Sequence, residues 1–205
     1  VAAHSRELTL SSRSNDQIEM PKYIAFLRAI NVGGHLVKMD HLRRLFVGIG
    51  FTNVETFIAS GNVIFDATSK SSRSLEKKIE SCLLEALGYE VLTFVRSVPE
   101  VVTIANYKPF PDAELVGNTL YIGFMATEPE KKAHEKLRQL LTKMDDFHLQ
   151  GREVYWLCRG KFSETPMSGG LIAKTLGLPS TIRNVTTVKK LAAKYSPEPA
   201  PRSSK

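Results

Sequence analysis

The sequence predicts an α+β protein that consists of two tandem ferredoxin-like subdomains and a C-terminal helix. Of its 205 residues, 42% are hydrophobic and 24% are charged, which is an ordinary globular composition. Short strand-like runs alternate with amphipathic helices, and the order strand-helix-strand-strand-helix-strand occurs twice. We therefore predict a first subdomain over residues 20–96, a connecting helix and linker over 97–117, and a second subdomain with the last helix over 118–195.

The first half follows from apolar spacing and glycine positions. A diglycine loop follows the first strand, and glycines end both helices, because glycine adopts backbone angles that other residues avoid. The turn Ser60-Gly61-Asn62 separates two strands and is typical of a hairpin. The predicted elements are a strand at 22–28, a helix at 39–47, strands at 54–58 and 63–65, a helix at 75–87 and a strand at 91–95.

The second half opens with a capping box, since Ser97 is followed three residues later by Glu100. Pro109 and Pro111 then mark a linker. A second cap is predicted at Thr127 with Glu130, before a helix that continues to residue 144. The remaining predicted elements are strands at 119–125, 147–149 and 154–158, a short helix at 171–176, a strand at 180–182 and a last helix at 184–195.

The two ends of the chain differ in composition from the middle. Residues 1–19 are polar and serine-rich without the apolar segment of a signal peptide, and residues 196–205 are proline-rich, so both are expected to be disordered. The apolar runs are too short to span a bilayer. Cys82 and Cys158 lack the partners of a disulfide framework or zinc site. These features predict a cytoplasmic protein without a metal or cofactor.

The topology predicts that two polar bends lie side by side. Strands one and two of the unit run in the same direction, so the loop after strand one and the turn after strand two meet at one edge of the sheet. An arginine and a diglycine loop before a helix suit a phosphate or a carboxylate. The alternative is that these residues only shape two tight turns. The candidate ligand-binding residues at this edge are Arg28, Asn31, Gly33, Gly34, Ser60, Gly61 and Asn62.

A second candidate anion site precedes the final helix. Asn184 can cap this helix, whose first turn carries a partial positive charge, and Arg183 stands directly before it. The alternative is a purely structural cap. We expect Arg183 and Asn184 to close the site that the first half begins.

The basic composition leaves nucleic-acid binding as an alternative function. The chain has 28 basic and 21 acidic residues, a formal net charge of +7, and basic domains bind polyanions. RNA recognition on the sheet needs exposed aromatic residues on strands one and three. Tyr23 and Phe26 point to opposite faces and Phe65 stands alone, so that mode is disfavoured. A scaffold that binds a partner without any ligand is a further alternative, and no nucleophile or general base identifies a reaction.

The same residues resemble a known family. The run from Tyr23 to His35, the turn at residues 60–62 and the Thr181-x-Arg183-Asn184 motif are similar to the bacterial family catalogued as domain of unknown function 1697. The resemblance covers residues 20–195 and implies a ferredoxin-like α+β fold of two subdomains, with no established activity. Two positions depart from the family, which usually has glycine in place of Ala29 and tryptophan in place of Val185. That tryptophan either stacks on a ligand or packs in a core.

Overall fold

The computed structural model describes residues 20–31, 36–58 and 61–196. The disorder expected at 1–19 and in nearly all of 196–205 lies outside the described residues. So do three candidate ligand-binding residues, Gly33, Gly34 and Ser60.

The described chain forms two four-stranded antiparallel sheets, which confirms the predicted α+β fold of two ferredoxin-like units. The first sheet has the order β2-β3-β1-β4 and the second has the order β6-β7-β5-β8. The elements of the first unit are β1 (Lys22–Leu27), α1 (Met39–Gly48), β2 (Thr52–Phe57), β3 (Asn62–Asp66), α2 (Ser72–Leu87) and β4 (Thr93–Ser97). Two helices follow, α3 (Val98–Asn106) and α4 (Asp112–Leu115). The second unit has β5 (Thr119–Met125), α5 (Lys131–Arg138), β6 (Asp145–Gln150), β7 (Glu153–Cys158), α6 (Gly169–Leu176) and β8 (Ser180–Asn184), before the last helix α7 (Val185–Tyr195).

Most elements begin and end near their predicted bounds, but the prediction for α5 was wrong. This helix begins at Lys131, with Glu130 as a cap whose side chain forms no capping hydrogen bond, and it ends at Arg138. The chain turns before β6 because the hydroxyl of Thr142 accepts hydrogen bonds from the N–H groups of Met144 and Asp145. Such local side-chain bonds offer the backbone an alternative to helix.

The buried hydrophobic residues form three clusters, one between the two sheets and one on the outer face of each sheet. The inner faces of the two sheets pack against each other, and Phe26 stacks on Phe124 between them at a centroid distance of 3.9 Å. The outer face of the first sheet is covered by α1 and α2, and that of the second by α5 and α6. Val185, where the resembled family usually has tryptophan, packs against the interior between the sheets.

Each unit's trailing helix packs on its own sheet and is also hydrogen-bonded to the other unit. The Tyr155 hydroxyl of β7 donates to the carbonyl of Ile104 in α3 at 3.1 Å. At the other end of the interface, Lys194 and Tyr195 of α7 both donate to the Glu55 carboxylate on β2, each at 2.7 Å. Because α3 and α7 also contact each other, the two units share one continuous interior.

Substitution of Ala29 by glycine should stabilise the protein. Ala29 has a φ of +54°, and the left-handed region costs a non-glycine residue about 1–2 kcal/mol. Glycine removes this strain but also gives the unfolded chain more freedom, which offsets about 0.4–1 kcal/mol. We expect a net gain of about 0.5–1 kcal/mol and a rise of a few degrees in the melting temperature.

The matched control for this substitution is Ala193→Gly, at an exposed position inside α7. There the same change should cost about 0.5–1 kcal/mol. Equal losses at both positions would show that the backbone at Ala29 is not strained.

Candidate functional site

The bend after β1 and the bend before β3 lie in contact at one end of the central strands of the first sheet. The N–H of Leu27 donates to the carbonyl of Gly61 at 2.8 Å. A Cβ added at Gly61, which has a φ of +71°, would lie 2.7 Å from Cγ2 of Ile30. Glycine is therefore required at this turn both for its backbone angle and for the close approach.

Arg183 of β8 connects these two bends to the second unit. The residue is 8% exposed, and all five N–H groups of its guanidinium donate to protein acceptors. These acceptors are Asn62 Oδ1 (2.7 Å), Thr181 Oγ1 (2.8 Å) and the carbonyls of Ile182 (2.9 Å), Leu27 (2.9 Å) and Gly61 (3.4 Å). Arg183 thus holds both bends of the first unit against the edge strand of the second.

Arg96 of β4 has the equivalent set of contacts in the opposite direction. Both arginines are the fourth residue of the last strand of their unit, and each guanidinium lies over a ring of the stacked pair, Arg96 over Phe124 at 5.7 Å and Arg183 over Phe26 at 5.8 Å. The acceptors of Arg96 are Glu153 Oε1 (2.7 Å) and the carbonyls of Met125 (2.7 Å), Val95 (2.9 Å) and Arg152 (3.4 Å). Glu153 is the first residue of β7 as Asn62 is of β3, and Met125 is the last of β5 as Leu27 is of β1. The two units therefore contact each other through equivalent residues on the two sides of the Phe26–Phe124 stack.

The two arginines differ in charge compensation. Arg96, 1% exposed, forms an ion pair with the Glu153 carboxylate, whereas Arg183 meets the neutral amide of Asn62 at the equivalent place. Burial lowers the pKa of Arg183 to about 10, and no described carboxylate counteracts this. The side chain is still protonated at neutral pH, so its positive charge lies in the interior without a counterion among the described residues.

A cleft of about 380 Å³ lies directly beside Arg183. It is lined by residues 27–31 of the first unit and by residues 169–170 and 180–183 of the second. Arg28 and Arg183 are basic, and none of the described lining residues is acidic. Among the described residues, nothing accepts a hydrogen bond from the Arg28 guanidinium, while its backbone N–H donates to Leu92. The wall of the cleft is therefore positively charged.

The first turn of α6 and a buried hydroxyl complete the cleft. Ser168 caps α6 by accepting a hydrogen bond from the N–H of Leu171 at 3.2 Å, and Gly169 and Gly170 occupy the first two helical positions without side chains. The first N–H groups of a helix lack partners within the helix and carry partial positive charge. Ser180 is 4% exposed, and its hydroxyl has no hydrogen-bond partner among the described residues. An uncharged buried donor without a partner is costly, and a ligand in the cleft would satisfy it.

The structure distributes the predicted site residues over three places. Arg28, Asn31 and Arg183 line the cleft. Gly61 and Asn62 lie behind it in contact with Arg183, and Asn62 also donates to the carbonyl of Phe57 at 3.0 Å. Asn184 is not among the lining residues, and its side chain caps α7 by accepting a hydrogen bond from the N–H of Thr186 at 2.8 Å.

Sequence reasoning did not identify Gly169, Gly170 and Ser180. The run Ser168-Gly169-Gly170 carries a visible signal, since a serine cap before two glycines leaves the start of a helix accessible. Its relation to the first unit depends on how the two units pack. Ser180 carries no signal, because a serine in an edge strand is ordinary.

The described residues give little support to a metal site, a membrane-spanning helix or RNA binding on the sheet. Those residues contain no group of three or more His, Cys, Asp or Glu side chains placed to hold a metal ion, and none of their helices has the length and apolarity to cross a membrane. Tyr23, Phe26 and Phe65 are all buried. The sheet therefore offers no exposed aromatic surface for RNA stacking through these residues.

Comparisons with known proteins agree with the fold. The model of a family described as "Protein of unknown function (DUF1697)" matches residues 20–155. Among solved structures, the conserved bacterial protein SP0830 from Streptococcus pneumoniae is similar, with a TM-score of 0.64 and 23% sequence identity over 85% of this chain and 98% of that chain. A likeness at this identity shows the fold alone. Comparison with curated proteins gives no significant match.

Proposed function

This chain belongs to the DUF1697 family of proteins of unknown function, and we propose that it binds a small anionic ligand in the cleft between the end of β1 and the start of α6. A phosphate ester and a carboxylate both meet this description. The reducing environment that suits the unpaired thiols of Cys82 and Cys158 makes a cytoplasmic location part of the proposal.

The observation that carries the proposal is the uncompensated charge of Arg183. The equivalent Arg96 shows that this position accommodates a carboxylate partner, because Glu153 supplies one there. At Arg183 the partner is the Asn62 amide instead. A buried charge without a counterion is unfavourable, and an anion in the adjacent cleft would relieve that cost.

Three further groups support an anion at this position. The Arg28 guanidinium has no partner among the described residues, and Arg28 lines the cleft. The first turn of α6 presents backbone donors, and the Ser180 hydroxyl is buried without a partner among the described residues. Together they supply a charge-assisted bond, a helix terminus and a hydroxyl, the usual components of an anion site.

The side chains divide into direct and indirect contributors. Arg28 contacts the anion directly and Asn31 orients it, whereas Arg183 contributes charge, since all its N–H groups are already used by the protein. Gly61 and Asn62 hold Arg183 in place. Gly33, Gly34, Ser60 and Asn184 stay predictions from sequence.

Replacement of Arg28 by alanine should weaken anion binding at least tenfold, because a hydrogen bond to a charged group contributes about 1.5–3 kcal/mol. The measurement is the rise in melting temperature with increasing phosphate, pyrophosphate or acetate, at ionic strength held constant with sodium chloride. A ligand present at a hundred times its dissociation constant stabilises the fold by about 2.7 kcal/mol, which is a shift of several degrees.

The control variant is Arg44→Ala, which removes the same charge from an exposed position on α1 that does not line the cleft. It should keep the wild-type response. An equal loss of response in both variants would indicate general charge screening, and an absent response in the wild-type protein would refute the proposed function.

A further inference from the structure

β8 is an edge strand whose outer hydrogen-bonding groups face the cleft. In an antiparallel ladder, both polar groups of a residue face the same neighbouring strand, and the direction alternates along the chain. The N–H of Met125 donates to Arg152, on the β7 side, at 3.0 Å. Its partner across β5–β8 is Ser180, so the N–H of Ser180 points away from β5. The N–H of Ile182, two residues on, does the same.

The equivalent edge of the first unit is closed. Thr93 pairs with Leu27 at the end of β1, as Ser180 pairs with Met125 at the end of β5. The outward N–H of Thr93 donates to Glu80 Oε1 and that of Val95 to Glu76 Oε1, each at 3.0 Å. Both glutamates lie on α2. They occupy the donors through which an edge strand would otherwise pair with another chain.

The second unit lacks these two carboxylates. Glu76 and Glu80 stand five and nine positions after the cap Ser71, and the residues at those positions after the cap Ser168 are Ala173 and Gly177. Helix α6 has 8 residues where α2 has 16. Among the described residues, nothing accepts a hydrogen bond from the N–H of Ser180 or Ile182. The donors that α2 satisfies in one unit are open in the other, and residues 180–183 line the cleft.

We infer that the ligand of the cleft is the carboxyl terminus of an extended peptide. Its α-carboxylate binds at Arg28 and the first turn of α6, and its main-chain carbonyls accept hydrogen bonds from Ser180 and Ile182, so that the peptide adds a short strand to β8. This inference rests on the proposed anion function and specifies its ligand.

Charge, spacing and size fit such a peptide. The part of the lining that the structure describes carries two arginines and no acidic residue, which complements a carboxylate. Donors two residues apart along a strand are separated by about 6.8 Å, the spacing of alternate carbonyls in an extended peptide. A volume of about 380 Å³ lies within the range of small-ligand sites. An inorganic anion alone would leave the outward N–H groups of β8 unused, whereas main-chain pairing is the usual source of affinity in strand addition.

The experiment compares acetyl-trialanine with a free carboxylate, the same peptide with a carboxamide end, and acetate, by titration and by amide hydrogen exchange. The free acid should bind at least tenfold more tightly than either acetate or the carboxamide. It should also slow the exchange of the Ser180 and Ile182 amides. The exchange of the Val95 amide, which Glu76 already protects, should not change.

The possible failures are distinguishable. If acetate and phosphate bind in an Arg28-dependent manner but the free acid binds no more tightly and does not protect Ser180 and Ile182, the peptide inference is wrong and the proposed anion function stands. If no anion binds, both are wrong.

A variant provides the second test. Ala173→Glu introduces a carboxylate at the position that corresponds to Glu76 when counted from the helix cap, and should reduce binding of the free acid at least tenfold while phosphate still binds. Undiminished peptide binding by this variant, if folded, would contradict strand addition. If the variant does not fold, the exchange of Ser180 and Ile182 in the wild-type protein decides.

Discussion

Replacing Arg183 with alanine should lower the free energy of unfolding by about 3–5 kcal/mol and the melting temperature by about 10 °C. The guanidinium donates to the carbonyls of Leu27 and Gly61 and to the amide oxygen of Asn62. Alanine removes these three buried hydrogen bonds, and the Gly61 carbonyl keeps only the N–H of Leu27. The loss also separates the edge of the first unit from β8, since Arg183 contacts both. Urea denaturation and calorimetry measure the effect.

Two further substitutions make this prediction specific. Arg183→Lys keeps the charge but has three donors instead of five, so it should lose less stability than alanine does, about 1–3 kcal/mol. Arg44→Ala, at an exposed site, should change stability by less than about 0.5 kcal/mol. If Arg183→Ala were as stable as Arg44→Ala, Arg183 would not hold the two units together.

Replacing Glu153 with alanine should lower the free energy of unfolding by about 3–5 kcal/mol, because it leaves the Arg96 guanidinium buried without its counterion. Burial raises the pKa of Glu153 and lowers the pKa of Arg96, so both charges are already unfavourable in this environment and depend on each other. The cost appears as a lower midpoint in urea with an unchanged slope.

The equivalent contact between Asn62 and Arg183 predicts that Glu153→Gln lowers the free energy of unfolding less than Glu153→Ala does. There the amide of Asn62 accepts the hydrogen bond from Arg183 without supplying a charge. Glutamine at position 153 should do the same for Arg96 and should cost only about 1 kcal/mol. Equal losses for alanine and glutamine would mean that charge, and not the hydrogen bond, is the contribution of Glu153, and that the two arginine sites are not equivalent in energy.

The fold was largely predictable because its elements carry local signals. Apolar spacing and the glycines at residues 48, 50 and 88 define the first unit, and the capping box of Ser97 and Glu100 correctly begins α3. The early end of α5 was not predictable from Leu140 and Leu141, which continue the helical spacing, because the hydroxyl of Thr142 forms a competing turn. A capping box also shows where a helix begins but not what it contacts, so the hydrogen bond from Tyr155 of the second unit to α3 had no signal.

The site was predictable only within one unit. The adjacency of the bends at Asn31 and Gly61 follows from the parallel directions of β1 and β2. The position of Arg183 beside them depends on how two sheets pack face to face, which no local pattern determines. The contrast between Glu76 and Ala173 requires a residue-by-residue comparison of two units that share topology without obvious sequence similarity.

The interior shared by the two units has a consequence for synthesis on the ribosome. Glu55 on β2 finds its partners at Lys194 and Tyr195, 139 and 140 residues later in the chain. The inner face of the first sheet also packs against β5 and β7, so it stays without its full native cover until the second unit has been synthesised. Contacts this distant in sequence slow folding, so the nascent chain passes through an interval in which apolar surface is accessible to chaperones.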